Sequence, residues 1–237
     1  MLWAAQDMGS NVQVWTHGSA TAAAVAGLAR RHRVAVTGTA ADIAVLCRPC
    51  STGPVRATGR SATTPPSASC VMSCRGLTPT PPFGWMTTIH APSPATGKAR
   101  LARDSEQAAI AQVLDEVFPH SLARPGLPGI SRWWVEADTI GIAACAADAW
   151  SAPCVGLLAG VATATPSQGR GLGKSVTATA LAALIQDYGA AALMVEADNA
   201  AAQSLYRSLG MTYRPVRAAA PLPARTANSA REHHLFT

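Results

Sequence analysis

The chemistry-bearing part of this 237-residue chain lies around residue 170. Residues 161–174 read Val-Ala-Thr-Ala-Thr-Pro-Ser-Gln-Gly-Arg-Gly-Leu-Gly-Lys, strand-like text that passes through a glycine-rich turn into helical text. Gly169, Gly171 and Gly173 let the backbone turn tightly and approach a ligand with no Cβ in the way. The first-turn amides of the helix that follows have no intrahelical acceptors. Together with the positive end of the helix dipole they make a phosphate site. Arg170 and Lys174 add cationic charge at its rim. The turn is not a nucleoside-triphosphate loop, because no G-x4-G-K-[ST] frame fits. It also comes too late in the chain, and with the wrong glycine order, for a dinucleotide turn.

A second constellation follows at residues 196–211, Glu-Ala-Asp-Asn-Ala-Ala-Ala-Gln-Ser-Leu-Tyr-Arg-Ser-Leu-Gly-Met. On a helix, Asn199, Ala202 and Tyr206 are three and four residues apart and share a face. Ala201, Leu205 and Leu209 make the neighbouring apolar face. An unperturbed tyrosine titrates near pH ~10, so Tyr206 is protonated at neutral pH and can act as an acid. A base must be a carboxylate or a water chain, and Glu196, Asp198 and Glu136 are the carboxylates to weigh. Asp198 equally suits a helix N-terminus. His90, His120, His233 and His234 sit in loop or tail text, where solvated histidines are the rule. Trp133-Trp134 are candidates to line an acceptor pocket, with one of the two in the core, since strand neighbours face opposite ways.

The elements that must position these groups follow from periodicity. Strands are expected over 132–137, 139–147 and 155–163, with Asp138 as the turn between the first two. A helix is expected between Gly171 and Gly189, a buried strand over 191–196, a helix over 199–209 and a last strand over 211–216. Asp104 is placed to cap an earlier helix whose apolar positions are Ile110, Val113, Leu114 and Val117, closed by Pro119. Nearer the N-terminus, strands are expected at 12–15 and 33–37, an alanine-rich helix at 20–28 and a short helix at 42–46. These first 46 residues form a small α/β lobe. Residues 47–103, rich in Pro, Ser, Thr and Arg, read as a poorly ordered linker, and residues 218–237 as a flexible tail.

Composition excludes several functions. The hydrophobic fraction of 49% is too high for a wholly disordered chain, and no apolar run reaches the roughly 18 residues of a membrane helix. The start carries an acid where a secretory leader has basic residues, and the expectation is a cytoplasmic protein. The net charge of +6 is uneven: residues 1–103 hold 10 Lys/Arg against two acids, residues 104–237 hold 9 against 11. Scattered arginines without interleaved aromatics argue against nucleic acid. Cys47, Cys50, Cys70 and Cys74 have a near zinc-ribbon spacing, with the second pair one residue too wide and Pro49 inside the first, so free thiols and zinc both stay open. Cys145 and Cys154 read as small core residues.

The Q-x-x-G-x-G turn from Gln168, the helix, the apolar strand and the run from Glu196 to Met211 together resemble the GCN5-related N-acetyltransferase (GNAT) family over about residues 104–217. More loosely, the N-terminal part resembles the degenerate first lobe of two-lobed members. The resemblance implies an α/β (α+β) fold: a mixed, mostly antiparallel sheet with helices on both faces and a V-shaped split between its two middle strands. It implies acetyl-CoA as co-substrate and an amine as acceptor, joined by direct attack. Gln168, Gly169, Arg170, Gly171, Leu172, Gly173 and Lys174 would bind the pyrophosphate. Val161, Ala162 and Thr163 would bind pantetheine and polarise the thioester. Asn199 and Ala202 would border the pantetheine arm, Tyr206 would protonate the departing thiolate, and Glu196 is the candidate base. No metal is implied in this site. A lobe that binds acyl-CoA without turnover is the alternative. The acceptor's identity and the oligomeric state are not legible.

Overall fold

The computed structural model describes residues 12–25, 33–46, 77–79, 82–93, 97–216 and 219–221. The first part is a three-stranded antiparallel sheet of β1 (Val12–His17), β2 (Ala20–Val25) and β3 (Arg33–Thr37), followed by helix α1 (Ala40–Leu46). Its core is small, with Ala20 and Ile43 buried and Val36, Ala40 and Leu46 packed on them. The expected helix at 20–28 is in fact strand β2 over its described part. Pairing with β1 on one side and β3 on the other satisfies the backbone of the alanine run, and these long-range hydrogen bonds override alanine's helix preference.

The main body is a seven-stranded sheet. It contains β5 (Phe83–Thr88), β6 (Arg100–Leu101), β7 (Ile130–Ala137), β8 (Ile142–Ala149), β9 (Gly156–Thr163), β10 (Ala191–Glu196) and β11 (Thr212–Val216), in the order β11-β5-β10-β9-β8-β7-β6. A separate two-stranded pairing joins β4 (Leu77–Pro79) to β12 (Ala219–Pro221). Every pairing in the large sheet is antiparallel except β9 with β10. The helices are α2 (Gln107–Val117), α3 (Leu172–Tyr188) and α4 (Ala200–Ser208). The mixed sheet with helices on both faces is the architecture expected from the sequence.

Alternation along β7 explains how both faces are covered. Trp134 joins Leu158, Val176, Leu181, Leu184 and Leu193 on the face under α3 and α4. Trp133 and Val135 join Ile110, Val113, Leu114 and Cys145 on the face under α2. Each fully buried leucine here is worth roughly 1.5–3 kcal/mol against exposure. Helix α2 begins after a 3-10 turn at Asp104–Glu106. Asp104 does not cap it. The carboxylate of Glu106 accepts the Arg103 amide at 2.7 Å and both Nη groups of Arg100.

The expected linker is also corrected where it is described. Phe83–Thr88 is a strand inserted between β10 and β11, with Phe83 opposite both Glu196 and Val216. Its residues alternate half-buried and buried, a pattern obscured in the sequence by the polar text before it. Gly84 is required there, because a Cβ would lie 2.0 Å from the Tyr213 ring. Cys145 is core as expected, whereas Cys154 is exposed in the β8–β9 connection. Cys47, Cys50, Cys70 and Cys74 lie outside the described residues, and among the described residues no His/Cys/Asp/Glu group is arranged to hold a metal. No described helix is long and apolar enough to cross a membrane.

Candidate functional site

Two parallel strands diverge at the middle of the sheet. β9 and β10 pair only through Ala191/Gly156, Ala192/Leu157 and Leu193/Leu158. Beyond these, residues 159–163 and 194–196 continue as strands without a mutual ladder. A bulge helps to turn β9 away. Opposite Cys145 and Ala147, β9 spends one residue too many between Ala162 and Ala159, and Gly160 takes a left-handed φ of 59°. A Cβ at Gly160 would meet the Trp133 ring at 2.8 Å. Such bulges re-aim backbone groups. Val161, Ala162 and Thr163 therefore lie in the part of β9 that pairs with β8 but has no ladder to β10.

β9 runs directly into the glycine-rich turn. A 3-10 turn, Thr165–Ser167, leads to Gln168, whose Nε2 donates to the Thr163 carbonyl at 3.1 Å. Gly169 and Gly171 have φ of 73° and 79° and nothing within 4 Å of a would-be Cβ, so the turn is left-handed and open on its outer side. Gly171 is the N-cap of α3, and Ser175 is the first amide to find a helical acceptor, the Gly171 carbonyl at 3.0 Å. The amides of Leu172, Gly173 and Lys174 thus face outward without helical partners. Gly173 has a different reason to be glycine: a Cβ would sit 2.6 Å from the Thr163 Oγ1. It lets the helix lie close against the end of β9.

The two rim cations differ. Arg170 does not stand free, since its Nη1 donates to Asp138 Oδ2 at 2.7 Å. Lys174 is exposed with no ion-pair partner among the described residues. The electrostatic attraction expected from two cations is therefore carried by Lys174 and the helix dipole.

Across the gap, Asn199 caps α4 with its Oδ1 accepting the Ala202 amide at 3.0 Å, and its Nδ2 has no hydrogen-bond partner among the described residues. Tyr206 is buried beside Val195, Leu209 and Met211. Its hydroxyl makes no hydrogen bond to a described residue, and burial pushes its pKa up to about 12. Ala202 and Leu205 are half-buried on the same core. Ala201, expected on the apolar face, is exposed, and Gln203 is buried instead. Its Nε2 donates to the carbonyls of Glu196 and Ala197 at 3.1 and 3.0 Å and ties the helix to the end of β10.

Glu196 is not beside Tyr206. Leu193 and Val195 lie in the α3/α4 core, whereas Ala192 and Met194 lie in a cluster on the other face, and alternation puts Glu196 with the latter. Glu136 is buried under α3, with Oε1 accepting the Lys98 amide at 3.0 Å. Asp198, His90 and His120 are exposed, and His233 and His234 lie outside the described residues. Trp133 and Trp134 are both core, on opposite faces. A cleft of about 390 Å³ bordered by Gln107, Leu127, Ile130 and Trp133 lies at the other end of β7 from the glycine-rich turn, away from this site.

Residues 100–211 match the model of the acetyltransferase (GNAT) family. The fold is similar to that of a GCN5-related N-acetyltransferase from Kribbella flavida, with a TM-score of 0.56 at 15% identity over 93% of this chain and 95% of that one. It is also similar to a protein assigned to the GNAT family from Novosphingobium aromaticivorans, with a TM-score of 0.52 at 21% identity over 61% of this chain and 66% of that one. The chain thus spans just under two thirds of the latter's length. No curated protein matches.

Proposed function

Because residues 100–211 belong to the GNAT acetyltransferase family, we propose that the protein is an acyl-CoA-dependent N-acyltransferase that passes an acetyl group to an amine. The observation that carries this reading is the opening of β9 from β10 above Leu158 and Leu193, directly beside an open glycine turn. A parallel pair normally continues its ladder. Here the edge of β9 beyond Leu158 has no β10 ladder and is open to an extended polar ligand, and the ligand's anionic end meets the helix N-terminus.

In this reading the diphosphate of acetyl-CoA lies on the amides from Gly169 to Lys174, and Lys174 offsets its charge. Gln168 braces the turn through Thr163, Leu172 and Gly173 seat the helix against β9, and Arg170 acts within the turn. The pantetheine arm runs through the gap between Val161, Ala162 and Thr163 on one side and Asn199 and Ala202 on the other. A main-chain amide past the bulge polarises the thioester carbonyl, as an oxyanion hole does. The neutral amine attacks the carbonyl carbon, the new C–N bond forms and the C–S bond breaks. The amine proton leaves to water or to Glu196, exposed at the end of β10. Tyr206 donates a proton, or a strong hydrogen bond, to the departing sulfur. Its hydroxyl has no hydrogen-bond partner among the described residues, which supports this role over that of a packing residue and favours turnover over an acyl-CoA-binding module.

Calorimetric titration with acetyl-CoA and with desulfo-CoA tests the binding half. A CoA-release assay over a panel of small amines, amino acids, polyamines and peptide N-termini tests the chemistry. Tyr206→Phe is expected to lower turnover by ~10²-fold or more while acetyl-CoA still binds. Binding with no release for any amine would leave the module reading in its place, and no binding of either thioester or desulfo-CoA would falsify both.

A further inference from the structure

The turn that holds residues 167–171 is itself held, by a residue about thirty positions earlier. Asp138 lies in the turn between β7 and β8, and its side chain is 8% exposed. One carboxylate oxygen, Oδ2, accepts the Ser167 hydroxyl at 2.7 Å and the Arg170 Nη1 at 2.7 Å. The other, Oδ1, accepts the Ile140 amide at 2.9 Å. The Asp138 amide in turn donates to the Gly141 carbonyl at 2.9 Å, so the carboxylate sits on a closed turn of its own. The Ser167 hydroxyl holds the carboxyl down first, then the Ile140 amide and Arg170, and its pKa falls to about 2. It is fully ionised under any ordinary condition.

We propose that Asp138 is a positioning residue for the diphosphate-binding turn, fixing Ser167 and Arg170 so that the outward amides of residues 169–174 are set before the ligand arrives. This rests on the acyl-CoA reading above. The physical need is specific. Two glycines at positive φ flank Arg170, and glycine has the most conformational freedom to lose on ordering. Without an outside tie, that freedom would be lost at the moment of binding and would weaken it. Asp138 and Ser167 remove it beforehand, the way preorganisation raises affinity in general.

Two effects of the carboxylate oppose each other. As an anion near a diphosphate it repels, and by pairing with Arg170 it withholds a cation. Arg170 is 51% exposed, and an exposed ion pair is screened and weak. Ordering two glycines is the larger effect, so removing Asp138 weakens binding. This sign is the heart of the test.

Wild type, Asp138→Ala, Asp138→Asn, Ser167→Ala, Arg170→Ala and the Asp138/Arg170 double variant are titrated with CoA, with its diphosphate-bearing nucleotide half and with pantetheine. Asp138→Ala is expected to weaken the two diphosphate ligands by ~10-fold, on the scale of hydrogen bonds to a charged group, and to leave pantetheine unchanged. The double variant is expected to be no worse than the weaker-binding single one, since the two residues act through one tie. Amide exchange at 167–171 should rise in the ligand-free variant. Should Asp138→Ala fold poorly, Ser167→Ala reads the same tie with the carboxylate in place. Tighter CoA binding by Asp138→Asn, additive losses in the double variant, or equal weakening of pantetheine would each overturn the proposal. A wild type that binds no CoA at all would instead sink the acyltransferase reading, and this inference with it.

Discussion

The seven-stranded sheet has two ends that are built on opposite principles. At the end where β9 begins, the strands are paired and a buried polar network is closed around Asp148. Tyr188 donates to it at 3.0 Å, Arg132 lies 3.3 Å away, and Ser151 donates to it while accepting the Leu157 amide at 2.8 Å. Burial, and then the neighbouring Asp148, raise the Tyr188 pKa, so its hydroxyl stays a donor. Arg132 also reaches Asp187 and lies 4.8 Å over the Trp134 ring. At the other end the same two strands separate and share no ladder. A buried backbone group without a partner is destabilising, so a sheet can be left open at one end only if the rest holds it. Polar side chains do both tasks here. Around Asp148 they hold strands and a helix together, and around Asp138 they tie the β7–β8 turn to the glycine-rich turn.

Breaking the closed end is the largest expected effect. Asp148→Ala strips Tyr188, Ser151 and Arg132 of a buried acceptor and should cost about 3 kcal/mol, lowering the thermal midpoint by roughly 10 °C. CoA affinity measured well below that midpoint should not change; a matching loss of affinity would show the two ends to be one unit. Gly84→Ala pushes a methyl into the Tyr213 ring and should cost about 2 kcal/mol in denaturant unfolding through overpacking of the inserted strand.

Gly160→Ala joins the two ends, and is expected to reduce both stability, by about 1–2 kcal/mol, and CoA affinity, since its left-handed φ and the Trp133 contact both oppose a Cβ. A loss of stability alone would mean that the bulge does not shape the gap. Gly171→Ala is smaller. It meets open space, so only the αL strain of roughly 1 kcal/mol applies, and calorimetry should show more change in CoA binding than in the midpoint.

The smallest effect is with acid. Glu106, held to about 2 by Arg100 and then the Arg103 amide, and Asp138, held to about 2 by Ser167, are both lowered. Carboxylates depressed in the folded state contribute stability above their unfolded pKa and lose it as pH falls through the folded one. The midpoint should therefore drop between pH ~4 and pH ~2. Asp138→Asn should lower the midpoint above pH ~5, where that contribution is fully present, and so flatten part of the drop; an unflattened profile would show that Asp138 does not contribute to it.

Much of the site could be read from local text. Gly169 and Gly171 need their freedom because of their own backbone angles, and those needs are visible in the residue type. The spacing of Asn199, Ala202 and Tyr206 likewise became a real capped helix, since a helix repeats every few residues. What escaped was every pairing between distant segments. Nothing near Asp138 marks it as the partner of Ser167 and Arg170. Glu196 reads as a base from its place after a buried strand, yet which face it occupies depends on the parity of β10 against α3. The run at 20–25 is helix-favouring alanine until two strands flank it.

The sequence by itself determined the glycine turn, the helix that follows it and the order of strands and helices from residue 104 on. Sterics and periodicity act within a few residues, and a chain carries that information wherever it folds. The tertiary structure alone decided that Phe83–Thr88 completes the sheet between β10 and β11, that Arg170 pairs with Asp138, and that β9 and β10 part where they do. These depend on which surfaces meet across long loops, and a hydrogen bond or a buried face has no preference for its partner until the whole core closes around it.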